Sequence, residues 1–302
     1  MRFSIIIPVY NVKKYLRACL DSVVGQSFSN WEALCVNDGS TDGSEAILQE
    51  YAAREQRITI ISQMNAGTAT ARNTGLRAAK GDYIFFLDSD DWLEPDTLRI
   101  LADRLNGEDI LCFSGRRYFE STRTYHSADI SPEKSYQMGM DYYNENALLP
   151  RDFAFVCVVL RVYNRTFLLN NELFFDDDIT YEDNLWIPKV LYYAQSVSMI
   201  PDALYLYRIR EGSKMQEVSL KRKMDMLRVA NRLAAFFIPK MGFDKTVVYR
   251  AITHHYQSAL MLASVAEKKE LGKECDWTRY RKVSRTKLRH IVNYWFNRIS
   301  VL

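Results

Sequence analysis

The N-terminal third of the chain alternates short apolar runs with longer segments in which apolar residues recur every three or four positions. The runs predict buried strands, and the recurring positions predict amphipathic helices. The predicted strands are 2–8, 31–36, 58–61, 83–87 and 109–113, with helices after residue 11 and at 42–51, 68–79 and 96–105. Strand and helix alternate at intervals of about 25 residues, which is typical of right-handed βαβ units and a parallel sheet with helices on both faces.

Two of these helices start with residues that can cap them. The side chain of Asn11 can accept a hydrogen bond from the first turn of the helix that follows it. Asp42 and Glu45 have the spacing of a capping box for the second helix. We therefore expect both helices to be stabilised from within their own first turns.

Polar residues cluster where four predicted strands end. These clusters are 8–10, 37–38, 65–73 and 88–91. The carboxyl ends of parallel strands meet at one edge of the sheet, where ligands of such folds bind. The sequence therefore predicts a ligand site at this edge.

The most acidic of these strand ends has three carboxylates within four residues, Asp88, Asp90 and Asp91. Carboxylates at the end of a core strand repel one another and are costly to desolvate, so a cation should neutralise them. Mg²⁺ or Mn²⁺ prefers such oxygen ligands and keeps waters and phosphate oxygens in its shell. The segment through Ser89 is thus interpreted as a metal–phosphate platform. The alternative is an acidic turn that caps the helix starting near Glu94, with Asp91 as the cap.

Common nucleotide- and calcium-binding motifs are absent from the sequence. No G-x-G-x-x-G follows the first strand, and Gly272-Lys273 is followed by Glu274, so there is no P-loop. A calcium loop starting at Asp88 would lack its sixth-position glycine and its final glutamate. A nucleotide site would need a carboxylate for the base, an arginine and a metal for the phosphates.

Composition places few limits on this picture. The chain has 302 residues, 48% of them hydrophobic, enough for one large core or two modest ones. No apolar run approaches the roughly 18 residues that span a bilayer, and nothing resembles a signal peptide. The five scattered cysteines indicate a reducing compartment. We expect a cytoplasmic protein.

Charge is concentrated at the C-terminal end. From residue 268 onward the chain has ten basic and three acidic residues, a net charge of +7. Because the whole chain carries +3, the rest carries −4. From Trp277 the basic residues are mixed with aromatic ones, as in helices that lie on an anionic membrane. Packing on the rest of the protein is an equal alternative, and nucleic acid is an unlikely partner.

Four segments together resemble family 2 glycosyltransferases of the GT-A fold. They are IIIPVYN (5–11), VNDGSTDGS (36–44), NAGTATARNTG (65–75) and FLDSDDW (86–92), in matching order and spacing within the first 115 residues. The resemblance implies an α/β protein with a GT-A-type nucleotide-binding sheet, flanking helices and a C-terminal helical extension. It implies a glycosyltransferase domain at 1–215, made of a nucleotide-sugar half (1–115) and an acceptor half (116–215), followed by helices at 216–302.

On the donor side, the resemblance implies that Pro8 and Tyr10 line the nucleobase pocket. Asp38 would accept the N3–H of uracil, a bond that suits a carboxylate. Arg72 would contact the diphosphate; its alternative is a solvated helix face. The loop of Arg72 would be shaped by Asn65, Gly67 and Asn73. Asp90 would hold the metal, Mg²⁺ or Mn²⁺, directly. Asp88 would hold the ribose or the metal, with Ser89 between the two aspartates.

An acidic pair, Glu182-Asp183, precedes apolar positions at helical spacing and is predicted to open a helix. The family places a catalytic carboxylate at such a pair, which implies Asp183 as the general base and Glu182 as the second candidate. Dipole complementation at the helix start is the alternative. Just upstream, many relatives carry a tryptophan and a lysine where this chain has Val159 and Arg161. That departure bears on the acceptor.

The rest of the second half is predicted from periodicity. Residues 153–163 are expected to be strand-like, and residues 165–171 to form a short helix. Two stripes of helical spacing follow: Leu220, Met224, Leu227, Leu233 or Ala234, and Phe237; then Val248, Ile252, His255, Ala259, Leu262 and Ala266.

The segment 205–213 resembles the family's closure over the diphosphate. Arg208 and Arg210 alternate along a predicted strand and so point the same way. They are expected to donate to one anion, and an exposed strand face is the alternative.

The leading hypothesis is an inverting, metal-dependent enzyme that moves a sugar from a UDP-sugar to a glycan or lipid-linked acceptor, in surface polysaccharide synthesis. The basic C-terminal tail of this enzyme would bind the inner face of the cell membrane. The alternatives are a nucleotidyltransferase, which lacks its Gly- and Lys-rich phosphate loop here, and a non-catalytic nucleotide-sugar or polysaccharide-binding module. The sequence leaves open the sugar, the linkage and the oligomeric state.

Overall fold

The computed structural model describes residues 1–126, 133–146, 157–210, 219–261 and 263–285. The strands are β1 (Phe3–Val9), β2 (Trp31–Asp38), β3 (Ile58–Gln63), β4 (Tyr83–Phe86), β5 (Trp92–Leu93), β6 (Ile110–Phe119), β7 (Thr124–His126), β8 (Lys134–Tyr136), β9 (Arg161–Asn164) and β10 (Val197–Ile209). The helices are α1 (Lys13–Val24), α2 (Ser44–Arg54), α3 (Thr68–Ala78), α4 (Thr97–Arg104), α5 (Gly139–Asn146), α6 (Arg165–Asn170), α7 (Glu182–Tyr193), α8 (Leu220–Phe237), α9 (Thr246–Met261), α10 (Val265–Glu274) and α11 (Trp277–Arg285). The alternation predicted for the first third is confirmed.

One mixed sheet organises the described chain, in the order β3-β2-β1-β4-β9-β6-β10-β5. β3, β2, β1 and β4 are parallel, as predicted, and so are β6 and β10. β9 lies between β4 and β6 and runs antiparallel to both. A short 3₁₀ turn, Val158–Leu160, leads the chain into β9, which pairs with β4 over three residues and with β6 over three residues. The wholly parallel sheet expected from the sequence is therefore wrong beyond β4.

The strands of the parallel half form the centre of the core. Every residue of β1 and of β4 is buried, as expected for strands covered on both faces. α3 packs very close to β1: a Cβ added at Gly75 would lie 2.4 Å from Cγ2 of Ile6. The glycine that ends the 65–75 motif is thus required for α3 to lie against the sheet.

The two predicted helix caps are wrong. Asn11 has a positive φ of 51°, and its Oδ1 accepts a hydrogen bond from the backbone N–H of Thr41 at 2.8 Å. Asp42 accepts from the backbone N–H of Ser44 through Oδ1 and of Lys13 through Oδ2, both at 2.9 Å. The loops after β1 and β2 lie side by side, so these side chains join the two loops instead of closing a capping box.

The C-terminal helices pack on the sheet domain through α7 and α8. In the predicted apolar stripe of α8, Leu227, Leu233 and Phe237 are buried, whereas Leu220 and Met224 are partly buried. At the start of the basic tail, Val283 is buried and the ring of Tyr280 lies 5.2 Å from that of Tyr256 on α9. This part of the tail packs on the protein, and no helix within the described residues is long and apolar enough to cross a membrane.

Several expectations fall on residues that the structure does not describe. They are the start of the strand predicted at 153–163, residues 211–213 of the segment resembling the family's closure, Leu262, and the tail after residue 285. The boundary proposed at 215 also lies there, so the division into domains stays a prediction.

Candidate active site

The carboxyl edge of the sheet gathers the polar strand ends predicted from the sequence. Pro8 lies within β1 and Tyr10 directly after it, with 41% of Tyr10 exposed. Asp38 ends β2, and residues 65–67 follow β3. Asp88 comes two residues after β4, and the end of β10 reaches the same edge because β6 and β10 run parallel to β4.

Asp38 organises the loop after β3. Its Oδ1 accepts hydrogen bonds from Nε2 of Gln63 and the backbone N–H of Ala66, and its Oδ2 accepts from the backbone N–H of Gly67, each at 2.8 Å. Asn65 donates to the backbone oxygen of Asp38 at 3.0 Å. A carboxylate offers about four acceptor positions, so three are used within the protein and about one remains. Binding of uracil by Asp38 stays a prediction.

Arg72 lies at the centre of a buried ionic cluster, which we call the Arg72 centre: Arg72, Asp88, Glu182 and Asp183. Its Nη1 donates to Oε1 of Glu182 at 3.0 Å and to Oδ1 of Asp183 at 2.8 Å. Its Nη2 donates to Oδ1 of Asp88 at 2.9 Å. Because only 3% of the Arg72 side chain is exposed, the solvated helix face is excluded. The acidic pair does open α7, as predicted, and one guanidinium joins it to the acidic strand end.

The residue after Arg72 ties the same two parts of the chain together. Asn73 donates to the backbone oxygen of Phe175 at 2.9 Å and accepts from its backbone N–H at 2.8 Å. The rings of Phe175 and Trp186 of α7 stack with their centres 4.3 Å apart. The guanidinium of Arg72 lies 5.4 Å from the centre of the Phe175 ring. α3 therefore positions α7 through both polar and aromatic contacts. The sequence interpretation missed this role because Asn73 was assigned to its own loop.

The environment of the Arg72 centre changes the acidity of its members. Burial alone lowers the pKa of Arg72, but the charges of Asp183, Asp88 and Glu182 raise it above its ordinary value, so it stays charged. Burial raises the pKa of Asp183 to about 7; Glu182 and Asp88 add to the rise, and Arg72 opposes it. A carboxylate with this pKa can both take and release a proton near neutral pH.

A second cluster, the Arg210 centre, consists of Asp90, Asp91, Arg208 and Arg210. Arg210 donates from Nε to Oδ2 of Asp90 at 3.0 Å, and Arg208 donates from Nε to the backbone oxygen of Asp90 at 2.8 Å. Both arginines therefore reach the same aspartate, and neither lies on a solvated strand face. Whether they also bind a diphosphate stays a prediction.

Aromatic rings surround Arg208. Its guanidinium lies 4.5 Å from the ring centre of Trp92, 5.0 Å from that of Tyr15 and 5.6 Å from that of Tyr118. Such contacts stabilise a cation while leaving its N–H groups able to donate. Local sequence patterns do not predict this aromatic cage, because its rings come from three separate elements.

The expectation that Asp91 caps the next helix is wrong. α4 begins at Thr97, with Asp96 before it. Asp91 is buried, and it accepts from the hydroxyl of Tyr205 at 2.6 Å and from the backbone N–H of Arg208 at 2.8 Å. Burial and the charges of Asp90 and Asp88 raise its pKa well above the ordinary value. Asp91 thus fastens the acidic strand end to β10.

The residues present fit a hard divalent cation. The two centres contain five carboxylates and three arginines, so their formal charge is −2. Burial, then the charge of Asp88, raises the pKa of Asp90, although Arg210 opposes the rise. Within the described residues no three or more candidate ligand side chains are grouped as a metal site. Two carboxylates suit Mg²⁺ or Mn²⁺, whose remaining ligands are usually waters and phosphate oxygens.

Comparisons with known proteins identify the family to which the sequence is similar. A family model described as Glycosyl transferase family 2 matches residues 4–169. The chain is 36% identical over 218 residues to glycosyltransferase GlyA of Streptococcus pneumoniae, covering 70% of this chain and 31% of the relative. It is 34% identical over 226 residues to the uncharacterized glycosyltransferase EpsJ of Bacillus subtilis, covering 74% and 65%. The chain thus spans less than two thirds of the length of these two relatives.

Solved structures share the fold. TarS 1-349 of S. aureus in complex with UDP-GlcNAc superposes with a TM-score of 0.64 at 22% identity, over 95% of this chain and 91% of that one. The mannosyltransferase PcManGT of Pyrobaculum calidifontis, in complex with GDP-Man and Mn²⁺, gives 0.58 at 17% identity, over 94% and 82%. The predicted GT-A-type α/β fold with C-terminal helices is confirmed. The acidic pair at 182–183 lies beyond the residues that the family model matches.

Proposed function

The chain belongs to glycosyl transferase family 2, and we propose that it transfers a sugar from a UDP-sugar to a hydroxyl group of a glycan or lipid-linked acceptor, with inversion at the anomeric carbon. The observation that carries this proposal is the Arg72 centre, in which one buried guanidinium joins Asp88 to Glu182 and Asp183. The donor side and the acceptor side of a transfer reaction would meet there. The UDP-GlcNAc held by TarS supports a UDP-sugar as the donor.

We assign Asp183 as the general base, with Glu182 as the second candidate. The acceptor oxygen forms its bond to the anomeric carbon while the bond from that carbon to the diphosphate breaks. The electron pair of the broken bond stays on the diphosphate oxygen, and the acceptor proton passes to Asp183. One direct displacement of this kind inverts the anomeric configuration.

Arg72 orients the base. Its hydrogen bond to Oδ1 of Asp183 fixes the carboxylate, and its bond to Asp88 fixes the distance between base and donor platform. Such fixed geometry is what converts an encounter of two substrates into an efficient reaction. Burial keeps the pKa of the base near 7, where a base is most effective at neutral pH.

Asp90, with Asp88, would hold Mg²⁺ or Mn²⁺. When bound, such an ion supplies Lewis-acid stabilisation of the charge that develops on the departing diphosphate. The Mn²⁺ in the PcManGT structure supports this assignment. Arg208 and Arg210 lie beside Asp90 and would donate to the diphosphate oxygens from the other side.

Thermal unfolding with a panel of nucleotide-sugars, each with and without Mn²⁺, tests the donor site. A ligand at 100 times its dissociation constant adds about 2.7 kcal/mol to the free energy of unfolding, which is easily measured. We expect one UDP-sugar to stabilise the protein in the presence of Mn²⁺. Product analysis with that donor and an oligosaccharide acceptor then gives the anomeric configuration. Absence of stabilisation by every nucleotide-sugar would contradict the proposal; binding without transfer would favour a non-catalytic module.

A further inference from the structure

Helix α8 lies against the segment that leads the chain into the acidic pair. We call residues 176–181 the approach segment. Arg232 of α8 donates to Oδ1 of Asp176 at 3.0 Å and makes two bonds to the carboxylate of Asp178, at 2.7 and 2.5 Å. A two-bond arginine–carboxylate pair fixes orientation as well as distance.

A buried carboxylate of the same helix holds the end of the approach segment. Asp225 is 0% exposed, and its Oδ2 accepts a hydrogen bond from the backbone N–H of Thr180 at 3.1 Å. Its other oxygen accepts from Arg228 at 3.2 Å. A buried charge is costly unless it is paired. An apolar side chain at position 225 would be less costly to bury than Asp225. Three residues closer to the helix start, Arg222 lies 5.0 Å from the ring centre of Tyr181.

The contacts follow one another in a regular order. As the approach segment advances from 176 to 181, the partner on α8 moves back from Arg232 through Asp225 to Arg222. These three residues are spaced by three and seven positions and therefore share one face of the helix. The helix and the segment thus run in opposite directions and are joined at both ends.

The last residue of the approach segment has a strained backbone. Tyr181 has a φ of 69°, in the left-handed region that a bulky residue seldom adopts. Such a conformation is unfavourable and persists only where the surroundings hold it. Glu182 and Asp183 follow immediately.

We infer that Asp225, together with Arg222 and Arg232, acts as a set of positioning residues that hold the approach segment and so place Asp183 for proton transfer. The inference rests on the proposed function, because it takes Asp183 as the base. It makes α8, which the sequence assigned to a separate helical region, part of the catalytic apparatus.

The test uses full-length Asp225→Ala, Asp225→Asn and Arg232→Met, with Lys223→Met as the matched control. Lys223 is equally buried on α8 but pairs with Glu267 of α10, at 2.9 and 3.0 Å. Hydrogen exchange over residues 176–183 measures how firmly the segment is held, without any need for activity. Kinetics with the donor found above measure the consequence.

Asp225→Ala and Arg232→Met should exchange faster over 176–183 and lose about 10- to 100-fold in kcat, as a displaced catalytic group does. The KM for the donor should stay within about twofold, because the donor platform is untouched. Asp225→Asn keeps an oxygen that can accept from Thr180 and should recover most of the kcat. Lys223→Met should change neither measurement, even if its melting temperature falls.

Unchanged exchange in both Asp225→Ala and Arg232→Met would overturn the inference, as would an unchanged kcat despite faster exchange, or an equal kcat loss in Lys223→Met. If Asp225→Ala does not fold, Arg232→Met decides, because Arg232 is partly exposed. Failure of the proposed function looks different: Asp183→Asn would keep its kcat, or no donor would bind, while the exchange data still report on the contact with α8.

Discussion

The Arg72 centre and the Arg210 centre lie on either side of the same acidic strand end, but they differ in how far water reaches the arginine. Arg72 is 3% exposed and holds three carboxylates from two distant parts of the chain. Arg210 is 26% exposed and pairs with Asp90, which is 27% exposed. The same kind of ion pair therefore forms with a buried arginine in one centre and with a partly exposed arginine in the other.

The difference in exposure gives the two centres different roles. Removing one partner of a buried pair leaves an uncompensated charge and costs about 3–5 kcal/mol, whereas exposed pairs contribute about 0–1 kcal/mol. The Arg72 centre is thus a permanent part of the fold that holds Asp183, the proposed base. The contacts of Asp90 can be exchanged at little cost, which is what a position for a metal and a diphosphate requires.

The largest effect expected is on catalysis, from Asp183→Asn. Removing a general base lowers kcat by about 10²- to 10⁴-fold, while donor-induced stabilisation should persist because the donor platform is intact. Glu182→Gln is the matched control, since Glu182 bonds the same Nη1 of Arg72. A larger loss in Glu182→Gln than in Asp183→Asn would reverse the assignment of the base.

Next in size is the effect of Arg72→Met on stability. Three carboxylates lose their shared partner, and we expect the free energy of unfolding in urea to fall by about 3–5 kcal/mol. Arg17→Ala is the control: Arg17 makes an equally well-formed pair with Glu50, at 2.8 and 2.5 Å, but on the surface. Its urea midpoint should hardly move. Equal losses in the two variants would show that burial does not distinguish the centres.

Asp90→Asn should separate stability from donor binding. The substitution removes a charge that repels Asp88, so the melting temperature without ligand should not fall. The Mn²⁺-dependent stabilisation by the donor, about 2.7 kcal/mol at 100 times the dissociation constant, should disappear. Retained Mn²⁺-dependent stabilisation would exclude Asp90 as the metal ligand.

The smallest effect is the pH dependence of kcat/KM. Asp183 must be deprotonated to act as a base, and its pKa is raised to about 7, so kcat/KM should fall tenfold per pH unit below about 7 and level off above it. An ordinary aspartate, with a pKa near 3.9, would give a flat profile from pH 5 to 8. A flat profile would mean that Asp183 is not held as the structure indicates.

Sequence patterns predicted the parallel half of the molecule and its polar edge well. β1 to β4 and the helices between them have strictly periodic sequences, and the local pattern agrees with the final packing there. The role of Asp88 at the acidic strand end and the roles of Glu182 and Asp183 were instead implied by the resemblance to family 2 glycosyltransferases. Periodicity could not show that Arg72 joins them, because the partners are 110 and 111 residues away from it.

The errors have a common physical cause. Asp42, Asn11 and Asp91 were expected to bond within their own helix starts, where short polar side chains often do. Each instead bonds a neighbouring element that tertiary structure brings alongside, and Asp42 also bonds the first residue of its own helix without forming the expected capping box. A short polar side chain has several partners of similar energy, and only the fold decides among them. A strand was expected within 153–163, but its antiparallel direction was not, because strand direction is set by tertiary pairing and not by the local pattern.

The double hydrogen bond between Asn73 and the backbone of Phe175 has a consequence for the order in which the protein is made. A chain grows from its N-terminus, and domains fold as their residues emerge. α3 is complete by residue 78, but the main-chain partner of Asn73 arrives about a hundred residues later. Until then the amide of Asn73 must bond water, and α3 lacks the contacts that close it against α7. The two hydrogen bonds that hold α3 to the segment before α7 therefore form only after Phe175 has left the ribosome, and a chain truncated before that residue lacks them.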